Sequence, residues 1–144
     1  MINDRQKLST LRGELDPSRR IDVATLIKGA EEAIVEDRLD DADAILSGVL
    51  VVDPGSSTAW RLVGRLAEER GELDEAERAY RTAMELGQDE SAVLALARLL
   101  ISIARFDEGE ALLSWIALDG ESISLRRTAD ELLTAIEKRR GRLS

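Results

Sequence analysis

Few side chains in this sequence could carry out catalysis. The chain has neither histidine nor cysteine, which removes the commonest acid–base group, the thiolate nucleophile and disulfides. Carboxylates, serines, Lys28 and Lys138 remain. The acidic run Asp40-Asp41-Asp43 lacks the glycine and closing glutamate of a calcium loop, and Gly64 and Gly71 lack the strand that precedes a phosphate-binding loop. The sequence therefore predicts a protein that is not an enzyme and holds no metal or cofactor.

Binding chemistry is better represented, by arginine. Arg61 and Arg65 are four residues apart, so on a helix they share one face, roughly opposite Leu62 and Leu66. The planar guanidinium group suits carboxylates and planar amides. This spacing predicts two cationic groups on one surface, where the carboxylates of a partner could bind.

The overall charge narrows the choice of partner. The net charge is −9, and the segment from Val23 to Ser124 has 22 acidic and 9 basic residues, a net charge of −13. Such a surface gains nothing from the counterion release that drives nucleic-acid binding, so DNA and RNA are not expected partners. The last 20 residues carry a net charge of +3, which suits a solvated helix end, or alternatively a tail that docks on an anionic surface.

Three similar turns organise the elements around these residues. The segments Asp37–Ala42, Gly71–Ala76 and Ala104–Gly109 align, and their apolar residues Leu39, Leu73 and Phe106 are 34 and 33 residues apart. Each turn joins two amphipathic segments with helical spacing. We therefore predict an all-α solenoid of three helical hairpins, covering about 23–56, 57–89 and 90–120.

Two further helices flank the predicted hairpins. A capping helix is expected at about 121–140, where Leu125, Ala129 and Leu132 continue the core pattern. Residues 1–20 form a separate short helix and linker ahead of a domain at 21–144. The N-terminal stripe Leu8, Leu11 and Leu15 either caps the first hairpin or pairs with a second subunit.

The second hairpin resembles a tetratricopeptide repeat (TPR), a helix–turn–helix unit of about 34 residues. Its residues at the family's consensus positions are Trp60, Gly64, Gly71, Ala76, Tyr80 and Ala83. The outer hairpins depart from the pattern, with Leu26 and Asp37 in the first and Ala97, Ala104 and Gly109 in the third. The resemblance implies a right-handed superhelix in which the first helix of each hairpin lines a concave, peptide-binding groove.

The resemblance also places the groove residues. Carried onto this chain, the inner face comprises Ile27, Glu31, Ile34, Val35, Arg61, Arg65, Glu68, Glu69, Leu94, Arg98, Ile101 and Ser102. With apolar residues from the first hairpin and arginines in the middle, the implied groove suits an acidic peptide with apolar anchors. The alternative is that Arg61, Arg65 and Arg98 only pair with neighbouring acids such as Glu68 and Glu69. The two-carboxylate clamp of heat-shock co-chaperones is absent, since the matching positions are Ile27, Glu31, Glu69, Ser91 and Ala95.

The sequence thus predicts a scaffold or adaptor that binds a segment of another protein. An alternative is a secretion-type chaperone, because the layout is similar to chaperones of type III secretion translocators, which are small, acidic and bacterial; such a protein could be a homodimer through residues 2–15. A third hypothesis is an oligomer whose groove holds its own terminal helix. No run of about 18 apolar residues exists, so we expect a cytoplasmic protein without membrane insertion. Trp115 lies beside the core stripe, buried by the last helix or exposed for a partner.

Overall fold

The computed structural model describes residues 22–143 and contains only helices over that range. Three hairpins follow one another and a long single helix ends the described chain, which confirms the predicted all-α solenoid. The predicted N-terminal helix lies outside the described residues. The helices are α1 (Val23–Val35), α2 (Leu39–Val52), α3 (Ser57–Glu69), α4 (Leu73–Leu86), α5 (Glu90–Ser102), α6 (Phe106–Asp119) and α7 (Ile123–Leu143).

The first helix of every hairpin begins at a side-chain cap. Asp22, Ser56 and Asp89 each accept a hydrogen bond from a backbone N–H of the first turn, at Ala24, Ala59 and Ala92 respectively, all at 3.1 Å. The second helices α2, α4 and α6 have no such cap. Each carries two acidic residues in its first turn instead, where the helix dipole favours negative charge.

The turn inside every hairpin has one residue in the left-handed conformation, at the same repeat position. Asp37, Gly71 and Ala104 have φ angles of 60°, 74° and 65°, which confirms the alignment of the three turns. In each turn the next residue donates its backbone N–H to a carbonyl five residues earlier, as in Arg38 to Ala33 at 2.7 Å. This is the Schellman type of helix ending, which favours glycine. Only the second turn has glycine, so the other two hold a Cβ in a region that disfavours it.

Within the second hairpin, α3 and α4 pack closely through Gly64. A Cβ built at Gly64 would lie 2.5 to 2.9 Å from three ring atoms of Tyr80, which is 2% exposed. The third hairpin uses Gly109 similarly, because a Cβ there would lie 2.7 Å from Cγ1 of Ile101. The small residues at these positions thus set how near the two helices of a hairpin approach.

The hairpins stack so that the first helices form one layer. Helix α1 contacts α3, α3 contacts α5 and α5 contacts α7, whereas α2 and α4, or α4 and α6, have no Cα atoms within 8 Å of each other. A layer whose helices touch must lie on the inside of the curve, and a layer whose helices are separated lies outside. We call these the inner layer (α1, α3, α5 and α7) and the outer layer (α2, α4 and α6).

A repeated ion pair links each outer helix to the hairpin or helix that follows. Arg70 contacts Asp40 at 3.0 Å and Asp43 at 3.5 Å, Arg105 contacts Glu77, and Arg140 contacts Glu110 at 2.8 Å. The three arginines are 35 residues apart, and Asp43, Glu77 and Glu110 are 34 and 33 apart. We call this series the inter-repeat ladder. It joins successive repeats at equivalent points.

Helix α7 closes the array. Ala129 is fully buried against α5 and α6, and four apolar side chains pack beside it: Leu125, Leu132, Leu133 and Ile136. The opposite side of α7 is exposed and mostly polar. One apolar and one wet face is what the end of a repeat array requires.

Candidate functional site

The described residues offer no group arranged for metal binding. Between residues 22 and 143, no cluster of three or more acidic side chains is placed to hold an ion. In the same range no helix combines the length and the apolar character needed to cross a bilayer.

The structure divides the predicted groove residues between the surface and the core. Arg65 and Arg98 are exposed, whereas Ile27, Glu31, Arg61, Glu68 and Ile101 are half-buried. Ile34 and Leu94 are 4% and 7% exposed and belong to the core. Since a ligand on the surface would not reach these last two, the expectation that they line the groove has to be corrected.

The burial of Ile34 and Leu94 has a physical cause. Ile34 belongs to one buried cluster with Leu62 and Leu66 of α3, and Leu94 belongs to the cluster that contains Ala129 of α7. Both face the next inner helix, because inner helices contact each other directly. Ile101 is half-buried because its side chain packs over Gly109.

Glu68 is held by the core beneath it. The hydroxyl of Tyr80 donates a hydrogen bond to Oε1 of Glu68 at 2.5 Å. Burial, together with the hydrogen bond to the Glu68 carboxylate, raises the pKa of Tyr80 far above its ordinary value, so the hydroxyl remains a donor at physiological pH. Glu68 is therefore bound to a core side chain. The ion pairs among residues 22–143 include none between Glu68 and Arg61, Arg65 or Arg98.

Arg61 forms an ion pair with a residue of the next hairpin, not with the nearby Glu68 or Glu69. Its Nε lies 3.5 Å from Oδ2 of Asp89, the residue that caps α5. That Nε is buried and makes no hydrogen bond within the described residues. Arg61 borders an open groove of about 680 Å³ between the starts of α3, α5 and α7, lined also by Thr58, Ser91, Ser122 and Leu125 among others.

Arg65 and Arg98 stand apart from the other arginines. Eight arginines lie between residues 23 and 124, and six of them form an ion pair: Arg38, Arg61, Arg70, Arg78, Arg81 and Arg105. Arg65 and Arg98 form none with the described residues, although the segment has a net charge of −13. They lie 33 residues apart, on the adjacent helices α3 and α5 of the inner layer. The pattern leaves two cationic groups available on one surface.

Sequence reasoning missed part of this surface. Thr58, Ser122 and Leu125 were not predicted as groove residues, although Thr58 and Ser91 are 33 residues apart and share one repeat position. This repeat spacing is the sequence feature from which Thr58 could have been predicted as a groove residue. Trp115 is 46% exposed, so of the two interpretations the structure favours exposure over burial by the last helix.

Comparison with solved structures identifies the fold. A structure of the Yersinia enterocolitica type III secretion translocator chaperone SycD matches 87% of this chain and 95% of its own, with a TM-score of 0.71 and 18% identity. A second SycD structure, described as an alternative dimer, also gives 0.71 and 18%, and covers 98% of that chain. SycD in complex with a peptide of the translocator YopD gives 0.68 and 18%, and covers 99% of that chain.

No protein-family model matches the chain, and no curated protein matches it. The resemblance to tetratricopeptide repeats therefore rests on the residue pattern and on the architecture. The comparisons, together with the helical hairpins, show that this chain has the TPR-like fold of the SycD chaperones.

Proposed function

We propose that this protein is a non-enzymatic scaffold that binds an acidic peptide segment of a partner protein on its inner layer. The single observation that carries the proposal is the pair Arg65 and Arg98. Both are exposed, and neither forms an ion pair with the described residues. The other six arginines between residues 23 and 124 do form ion pairs with acidic residues. A peptide carboxylate could satisfy each guanidinium with two parallel hydrogen bonds.

Arg61 and the groove beside it extend the proposed site. The Nε of Arg61 is buried beside Asp89, but the groove offers the hydroxyl groups of Thr58, Ser91 and Ser122. Its far rim carries the carboxylates of Glu90 and Glu121, so an acidic ligand would lie toward Arg65 and Arg98. Apolar contacts for the ligand would come from the half-buried Ile27 and from Val35, which is 71% exposed at the end of α1. The ligand we propose therefore combines Asp or Glu with one or two aliphatic or aromatic anchors.

A random peptide library displayed on phage, selected against the full chain, tests the proposal. We expect the enriched peptides to be acidic with apolar anchors. The double variant Arg65→Glu/Arg98→Glu should weaken their binding at least tenfold, because two charge-assisted contacts become repulsive and ~1.4 kcal/mol already corresponds to a factor of ten.

The matched control is Arg78→Glu/Arg81→Glu in the outer helix α4. It changes the net charge by the same amount at arginines of the other layer. If both double variants weaken binding equally, overall charge is the cause and the inner-layer site is wrong. Dissociation constants that stay within twofold for Arg65→Glu/Arg98→Glu would also refute it.

A secretion-type chaperone is the second proposal, favoured by the fold shared with SycD, one structure of which contains a YopD peptide. A chaperone would keep a partner that contains the selected peptide soluble and unfolded during co-expression, whereas an adaptor would bind the folded partner. Homodimerisation through residues 2–15 belongs to the chaperone proposal. Sedimentation of Leu8→Ser/Leu11→Ser tests it, since a dimer should become a monomer.

A further inference from the structure

The outer layer contains a second, chemically different recess. It lies where α4 and α6 stand apart, has a volume of about 450 Å³, and its apolar lining comes from Met84, Val93, Leu112 and Trp115. We call it the Trp115 recess. It includes neither Arg65 nor Arg98, and it meets the groove beside Arg61 at a shared rim formed by Gln88, Asp89, Glu90 and Glu121.

The two tryptophans differ in how the described chain holds them. The indole N–H of the other tryptophan, Trp60, donates to the carbonyl of Pro54 at 3.1 Å. Trp115 makes no hydrogen bond with the described residues and belongs to none of the buried core clusters. On the same face of α6, Leu118 is 78% exposed. Half-exposed tryptophan beside an apolar recess is typical of an interface anchor.

The border of the recess carries only negative charge. Its charged lining residues are Asp89, Glu90, Asp119 and Glu121, and no arginine or lysine is among them. Asp89 is engaged by Arg61, and Glu90 accepts hydrogen bonds from two backbone amides, so Asp119 and Glu121 are the carboxylates left available. The corresponding gap between α2 and α4 differs, because Arg70 and Arg78 line it together with acids.

We infer that the Trp115 recess binds a basic, apolar segment of a partner protein. A large apolar side chain would fill the space beside Trp115 and Leu112, while flanking Lys or Arg would face Asp119 and Glu121. Charge complementarity selects this occupant, since the recess repels the acidic peptides proposed for the inner layer. The protein would thus recognise two segments of opposite charge on its two layers.

The test uses the full chain carrying Arg65→Glu/Arg98→Glu, in which the inner-layer site is disabled. A random peptide library on phage is selected against it, and the recovered peptides are measured on further variants by fluorescence anisotropy. We expect peptides with Lys or Arg beside Phe, Leu or Ile. Their binding should weaken at least tenfold in Trp115→Ala and also in Asp119→Lys/Glu121→Lys, and should weaken with added salt.

The control is Val51→Ala, which truncates an apolar side chain that is 84% exposed on α2, and it should leave binding unchanged. Because Trp115 is half-exposed and outside the core, Trp115→Ala should retain the helical circular dichroism of the parent. Peptides that bind Trp115→Ala with unchanged affinity would overturn the inference, as would recovery of no basic peptides.

Two other occupants would also overturn it. If Trp115→Ala converts a dimer to a monomer in sedimentation, the recess is covered by a second copy. If basic peptides bind only after Leu8→Ser/Leu11→Ser, the chain's own N-terminal segment covers it. Failure of the inner-layer proposal leaves this result unaffected, because the selection starts from a chain without that site.

Discussion

Replacing Gly64 with alanine should destabilise this protein, although alanine is the better helix former. In an exposed helical position Gly→Ala gains roughly 0.5–1 kcal/mol. At Gly64 the new Cβ would lie 2.5, 2.6 and 2.9 Å from Cε1, Cδ1 and Cζ of Tyr80. Carbon atoms pack at about 3.5–4.0 Å, so the ring would have to move by about 1 Å.

That ring has little room to move. Tyr80 is 2% exposed in a cluster with Ala67 and Leu96, and its hydroxyl donates to Glu68. Overpacking of this kind costs about 1–3 kcal/mol. After the gain in helix propensity, we expect Gly64→Ala to lower the free energy of unfolding by about 1–2 kcal/mol.

Gly48→Ala is the matched control, because Gly48 lies in the middle of α2 and no atom comes within 4 Å of a Cβ built there. It should raise the free energy of unfolding by about 0.5–1 kcal/mol. Urea denaturation followed by circular dichroism measures both free energies of unfolding. The comparison holds when the slope of free energy against urea concentration is the same for both variants and the parent. The two variants should therefore differ by about 1.5–3 kcal/mol.

The contact between Gly64 and Tyr80 predicts that substitutions at these two positions are energetically coupled. In a Tyr80→Leu background the smaller side chain removes the overlap, so Gly64→Ala should become neutral or stabilising there. If Gly64→Ala is as stable as Gly48→Ala in the parent chain, the close contact between Gly64 and the ring does not limit helix approach, and our account of the hairpin is wrong.

Three other predictions follow from the turns and the hydrogen bonds. Ala104→Gly should raise the free energy of unfolding by about 0.5–1 kcal/mol, because glycine relieves the left-handed conformation, and Gly71→Ala should lower it; urea denaturation of the pair must give opposite signs. Tyr80→Phe should lower it by about 1–2 kcal/mol through loss of the hydrogen bond to Glu68, and a loss below a few tenths would contradict that bond. Backbone N–H groups at the start of α7 lower the pKa of Glu90, so its charged form stabilises the fold above pH ~4.3 and this contribution is lost as the pH falls below that value. The stability gap between the parent and Glu90→Gln should therefore shrink from pH 7 to pH 3, and a constant gap would exclude the linkage.

Sequence reasoning reached the hairpins because their determinants are local. Small residues recur at fixed spacing, as at Ala42, Ala76 and Gly109. The turn at Ala104 could be placed by alignment, although its left-handed conformation is disfavoured for alanine. Helical periodicity also put Leu62 and Leu66 opposite Arg61, and both leucines are buried. A repeat pattern carries this information without any knowledge of how hairpins stack.

The candidate site was less predictable because it depends on contacts between repeats. Whether Ile34 and Leu94 are surface or core is decided by how near the next inner helix comes, which no spacing within one hairpin specifies. Arg61 pairs with Asp89, 28 residues later, rather than with the closer Glu68. The exposure of Trp115 likewise depends on where α7 lies.

The inter-repeat ladder has a consequence for how this chain could change in length. One repeat unit, from Leu73 to Arg105, contains Glu77 together with its ion-pair partner Arg105. A second copy of that unit, inserted in tandem, would bring a complementary charge to each new junction. The array is in this sense built from interchangeable parts, and a chain with four hairpins should join its successive hairpins through the same ion pairs.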